Sequence, residues 1–189
     1  MHFHISTNHI ITAYPSVAPS RPVDVSLTTG GREDLQLGGH VTTSYGYIYN
    51  MRTKPDAGVV IITGFDFYTE STEEINFELW TRMGSFKEHK GTYDGWDLIA
   101  SGTTKGRGIG RYTPIPEELY TPVSIPGGGG EGGTRAFYLT LDFFGLVYKL
   151  GEAGLDSDVQ VSAEDDDIEV YDGEGVLFYP FPGKCGSCE

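Results

Sequence analysis

Nine carboxylates fall between Asp156 and Glu174: Asp156, Asp158, Glu164, Asp165, Asp166, Asp167, Glu169, Asp172 and Glu174. Crowded carboxylate oxygens on a loop are the raw material of a calcium site, which gathers about six to eight oxygens. Asp165, Asp166, Asp167 and Asp172 are the candidate ligands, and calcium is the cofactor they would hold. Alternation along a strand sends Asp165 and Asp167 to one side and Asp166 to the other, so they converge only on a loop or bulge. The spacing does not match the EF-hand loop. The competing reading is a solvated edge strand whose charge discourages aggregation. A glycosidase would need two carboxyls about 5–9 Å apart in a cleft, and no motif marks such a pair.

Aromatic side chains offer a second chemistry. Tyr45, Tyr47 and Tyr49 alternate, so a strand would project them from one face. Tyr93 and Trp96 flank Asp94-Gly95, and Trp80 is out of phase with Ile75, Phe77 and Leu79. An exposed row of Tyr45, Tyr47 and Tyr49, with Tyr93, would stack on sugar rings. Against it, aromatic residues are good strand formers, and Trp96 opens an apolar strand as a core residue would.

Nucleophilic and phosphate-binding chemistries lack their motifs. The sequence contains no GxSxG and no HExxH. Gly106-Arg-Gly-Ile-Gly110 lacks the Lys-Ser/Thr and the strand-to-helix setting of a P-loop. His40 and His89 stand alone, and His2, His4 and His9 read as solvated tail residues. A net charge of −14 repels phosphate backbones, which excludes nucleic acid as a partner. The densest basic stretch, Lys105 to Arg111, is interrupted by glycine and reads as a loop. Cations, basic surfaces, surface proteins and neutral ligands such as glycans remain.

The elements that must position these groups are strands. Val23 to Leu27, Val41 to Met51, Val59 to Phe67, Ile75 to Leu79 and Trp96 to Ala100 carry apolar runs or two-residue alternation. So do Val123 to Ile125, Ala136 to Leu141, Val159 to Ala163 and Ile168 to Tyr171. Glycine-rich turns separate them, and the one helical candidate is the single turn Pro116 to Leu119. The expectation is an all-β antiparallel sandwich or jelly-roll of about eight to ten strands over residues 22–182. Residues 1–21 read as a Pro-rich tail and 183–189 as a linker. No run approaches the roughly 18 apolar residues of a transmembrane helix. Cys185-Gly-Ser-Cys188 reads as a boundary of a further module, a local disulfide, or half of a metal or redox pair. The N-terminus lacks the features of a secretory signal, which implies either an intracellular protein or a leader outside this sequence.

The order of residues resembles an uncharacterised β-rich domain that recurs in large, often secreted, multi-module proteins of diatoms and other marine microbes. The blocks carrying the likeness are Ile62 to Phe67, Glu78 to Ser85, Gly95 to Ile99, Gly106 to Gly110, Thr113 to Pro116, Ala136 to Leu141 and Asp165 to Gly173, with Gly175 and Phe181. Together they span roughly Gly46 to Pro182. The resemblance implies a β architecture and a surface setting, and brings no catalytic residue. Asp166 to Gly173 followed by Cys185-Gly is similar to one stretch of CUB domains, some of which bind calcium and basic proteins near this turn. The early cysteines of that family are missing. These readings converge on a non-catalytic extracellular binding or adhesion module, for glycan or calcium. A self-assembling structural module and a carboxylate-dependent hydrolase are the competing expectations.

Overall fold

Alternation in the longest strands dictates a sheet with two different faces. In the computed structural model, residues 41–149 and 160–181 are described. The expected tail, the strand at Val23 to Leu27, and Cys185 and Cys188 lie outside them. The backbone of the fold is an antiparallel sheet ordered β11 (Val161–Glu164), β12 (Ile168–Tyr171), β2 (Gly46–Thr53), β9 (Thr134–Leu141), β5 (Glu74–Met83) and β6 (Asp97–Lys105). A short strand, β13 (Glu174–Val176), continues along β2 beyond the end of β12.

The inner face of this sheet carries Tyr47, Tyr49 and Met51 of β2, Ile75, Phe77 and Leu79 of β5, and Phe137, Leu139 and Leu141 of β9. Three two-stranded ribbons cover that face: β1 (Val41–Ser44) with β10 (Leu146–Lys149), β4 (Asp66–Tyr68) with β7 (Tyr112–Pro114), and β3 (Val60–Ile62) with β8 (Val123–Ile125). Their side chains Val60, Ile62, Phe67, Ile125 and Leu146 close the core from the other side. The protein is thus an all-β antiparallel sandwich. Among the described residues no α-helix occurs, and the Pro116 turn is a short 3-10 segment, Glu117–Leu119.

The described residues form thirteen strands, more than the expected eight to ten, because two apparent runs are each divided. The stretch from Val41 to Met51 bends at Tyr45, where the chain leaves the ribbon layer and enters the main sheet. The stretch from Val59 to Phe67 breaks between β3 and β4. A layer change needs a local kink that hydrophobic periodicity does not register. Three further strands that the sequence reading did not separate from their loops, β7, β10 and β13, are each three or four residues long.

The outer face is half covered. Ile48, Trp80, Ala136, Tyr138 and Val176 form a second apolar cluster with Phe86 and Trp96 from the β5–β6 loop and Phe181 from the segment after β13. The Phe181 ring sits 5.4 Å from the Trp80 ring, 6.0 Å from Trp96 and 4.9 Å from Tyr138. The Tyr138 hydroxyl donates to the carbonyls of Phe178 and Pro180, pinning that segment down. Trp80 is out of phase with Ile75, Phe77 and Leu79 because it faces this second cluster.

Candidate functional site

Where the outer cover stops, the polar phase of the strands is left bare and a recess opens. Its volume is about 230 Å³, and Asn50, Arg52, Ser85, Gly130, Glu131, Thr134 and Tyr171 line it. Strand register supplies the floor: Arg52 stands opposite Glu169 on β12 and Thr134 on β9, while Asn50 stands opposite Ala136. The walls are two loops, one starting at Ser85 and the other running from Gly127 to Gly133.

Each floor side chain is held by a neighbour. Arg52 donates from Nε and Nη2 to Oε2 of Glu169, at 3.2 and 3.1 Å. The Tyr171 hydroxyl donates to the same oxygen at 2.6 Å, and the guanidinium lies 4.5 Å from the Tyr171 ring centroid. An arginine fixed by a carboxylate and a ring loses little freedom when a ligand arrives, which is how a site is preorganised. The Asn50 amide donates to Oγ of Ser85 and accepts from the backbone N–H of Phe86, tying the floor to the first wall.

The second wall is tied by Thr53, which is fully buried. Its hydroxyl donates to the Pro126 carbonyl at 2.8 Å and accepts from the Gly129 N–H at 3.3 Å. Consecutive positive φ angles at Gly128, Gly129 and Gly130 (90°, 62° and 63°) make the turn that brings Glu131 to the rim. Side chains with a Cβ rarely adopt that backbone, which accounts for the glycine run.

The recess therefore combines donors and acceptors at close quarters. Two of the Arg52 N–H groups go to Glu169, and the others remain for a ligand alongside the Ser85 hydroxyl. The carboxylate acceptor is Glu131, which is exposed; Glu169 holds Arg52 without being part of the lining. With Arg52 charge-balanced by Glu169, the exposed Glu131 leaves the recess slightly acidic.

The candidates drawn from sequence lie elsewhere. Tyr47 and Tyr49 do share a face, but it is the core face: they are 7% and 0% exposed, and burial raises both hydroxyl pKa values well above the usual range. Tyr47 packs 4.7 Å from Tyr148, and its hydroxyl accepts from the Gly173 N–H. No ligand can stack on rings already packed on both sides, so the expected aromatic row is corrected to a core feature. Tyr45 sits at the bend before β2, half-buried, edge-on to Phe144 at 5.5 Å. Tyr93 is exposed on the β5–β6 loop, apart from the other tyrosines, while Trp96 on the same loop is buried.

The acidic run is likewise dispersed. Oδ1 of Asp165 accepts from the backbone N–H groups of Asp167 and Ile168, so this side chain caps the β11–β12 turn. Asp172 follows the far end of β12; four strand residues at about 3.3 Å each place it more than about 10 Å from that turn. Among the described residues, no group of three or more His, Cys, Asp or Glu side chains could hold a metal ion. The expected ligand set Asp165, Asp166, Asp167 and Asp172 does not assemble. Glu169, from the same acidic stretch, holds Arg52 and Tyr171, which line the recess, and is not itself part of the lining.

Sequence reasoning missed Asn50, Arg52, Ser85, Glu131, Thr134 and Tyr171. The available signal was the polar phase of β2, where Asn50 and Arg52 interleave with Tyr49 and Met51. The partners across the sheet required the register. No protein-family model, curated protein or solved structure matches this chain. Among the described residues, no helix is long and apolar enough to cross a membrane.

Proposed function

We propose that this domain is a non-catalytic binding or adhesion module that takes a neutral sugar residue of a glycan in the Arg52 recess. The observation that carries the reading is a locked, charge-balanced arginine beside the Glu131 carboxylate and the Ser85 hydroxyl in one small recess. A sugar hydroxyl both donates and accepts, so adjacent hydroxyls can accept from Arg52 and Ser85 while donating to Glu131. A phosphate would face the Glu131 carboxylate, and an ammonium group would face Arg52. The recess encloses about 230 Å³. Pockets for drug-sized ligands begin at roughly 300 Å³, so this smaller space suits one ring at the end of a chain. Resemblance to multi-module secreted chains supports an extracellular, cell-surface setting, and the acidic net charge argues against nucleic acid as partner.

A glycan array probed with the intact chain, with and without calcium, tests this reading. Binding to neutral terminal sugars, lost on Arg52→Ala and Glu131→Gln, is the expected result. No binding on the array, or binding indifferent to both substitutions, overturns it.

A further inference from the structure

The recess wall that starts at Ser85 belongs to the β5–β6 loop, residues 84–96, and side chains seat that loop on the sheet. Its backbone is anchored at Gly84, which donates to the Thr134 carbonyl at 2.9 Å. The bonds from His89 to Phe86 and from Trp96 to Tyr93 stay within the loop and turn it on itself. Phe86 and Trp96 press into the outer apolar cluster and are 0% and 6% exposed. Lys90 reaches Glu174 of β13 at 2.6 Å, but these side chains are 49% and 38% accessible, so solvent screens the pair. The apolar contacts carry the hold.

A residue distant in sequence completes that cluster. Phe181 is buried, and its ring lies against Trp80, Trp96 and Tyr138 at once. The strap leading to it from β13 is covered lightly: Leu177, Phe178 and Tyr179 are exposed, and burial resumes only at Pro180 and Phe181. The Tyr138 hydroxyl, bonded to the Phe178 and Pro180 carbonyls, is the strap's polar tie. An exposed strap ending in one buried ring has the build of a clasp.

From that ring a chain of contacts runs to the recess. Trp96 Nε1 donates to the His89 carbonyl at 3.1 Å, and the His89 N–H donates to the Phe86 carbonyl at 2.8 Å. The Phe86 N–H donates to Oδ1 of Asn50 at 3.2 Å, and the Asn50 amide donates to Oγ of Ser85 at 3.1 Å. Asn50 and Ser85 line the recess; Phe181 does not. Removing the Phe181 ring leaves one side of Trp96 unpacked, and a loop with fewer buried contacts opens locally more often. An open loop carries Ser85 away from Asn50. A ligand then binds only the fraction of molecules whose wall is seated, and its apparent affinity falls by that fraction.

We infer that Phe181 is a positioning residue for the recess: the segment after β13 is a clasp, and seating or release of Phe181 sets how firmly the recess holds its ligand. Phe181 acts through Trp96, Phe86 and Asn50. The inference rests on the proposed sugar site for the identity of the ligand, but not for the coupling between clasp and wall.

Site-resolved amide hydrogen exchange on the intact chain and on Phe181→Ala tests the coupling without any ligand. The Phe86 amide should exchange at least about tenfold faster in the variant, while Gly133 in the opposite wall and the β3–β8 ribbon change by less than about twofold. Phe181→Leu keeps the space partly filled and should accelerate Phe86 exchange in the same direction by less; it decides the matter if the alanine variant does not fold. Affinity for a neutral glycan that the intact chain binds should fall at least about fivefold in Phe181→Ala. Unchanged Phe86 exchange, acceleration that is equal at every site, or glycan affinity indifferent to Phe181 overturns the inference. An intact chain that binds no glycan sinks the sugar reading instead, and the exchange result then decides the clasp by itself.

Discussion

Replacing Glu169 by Gln keeps the shape of the side chain and removes the charge that organises the recess. The carboxylate oxygen Oε2 accepts from Arg52 Nε and Nη2 and from the Tyr171 hydroxyl. The ion pair is partly exposed, with side chains 38% and 23% accessible. Solvent screening therefore holds its contribution to about 0.2–1 kcal/mol. Tyr171 is buried. A hydrogen bond from a buried hydroxyl to a charged group contributes about 1.5–3 kcal/mol, of which a neutral amide oxygen retains roughly half. Glu169→Gln should therefore cost about 1–2 kcal/mol, lowering the melting temperature by about 2–8 °C. Urea unfolding measures the loss, and a double-mutant cycle with Tyr171→Phe isolates the shared term. The same substitution leaves Arg52 without its counter-charge, so sulfate should begin to bind the recess and move Arg52 side-chain resonances. A coupling energy below about 0.3 kcal/mol would show that Glu169 does not organise Tyr171 and Arg52, and the account of a preorganised recess would fail.

The buried hydroxyls give two further expected outcomes. Thr53→Val preserves volume but strips the hydroxyl from the Pro126 carbonyl and the Gly129 N–H. It should cost about 1–3 kcal/mol and speed amide exchange at Gly129 and its neighbours. Burial raises the pKa of Tyr47, Tyr49, Tyr120 and Tyr138 above the value of about 10 they have when unfolded. Below pH 10 these hydroxyls are neutral in both states and the fold keeps its full stability. Above it the unfolded chain binds fewer protons than the folded one, so stability falls by up to about 1.4 kcal/mol per pH unit for each tyrosine. Absorbance at alkaline pH should show them ionising together with loss of near-ultraviolet circular dichroism, and independent early ionisation would contradict their burial.

The strand nature of the chain was legible because it is a local property. Ile75, Phe77 and Leu79 alternate with Asn76 and Glu78, and only a half-buried strand rewards that pattern. The glycine run before Thr134 and the short turn near Pro116 were legible for the same reason, since backbone angle preferences act within a few residues. The face to which Tyr47 and Tyr49 belong was also readable. Whether that face was wet or dry was not, because three ribbons from distant parts of the chain cover it. Alternation states that two faces differ; it does not state what lies against either one. The acidic run misled for a related reason: nearness in sequence put Asp165 and Asp172 together, and an extended strand holds them apart. Arg52, Glu131, Glu169 and Tyr171 come together only through the register of β12 on β2 and the fold of a loop held by Thr53. Composition and two-residue periodicity determined a sandwich of stacked sheets. Which polar side chains share a recess was decided by long-range strand pairing, whose partners no local stretch of sequence encodes.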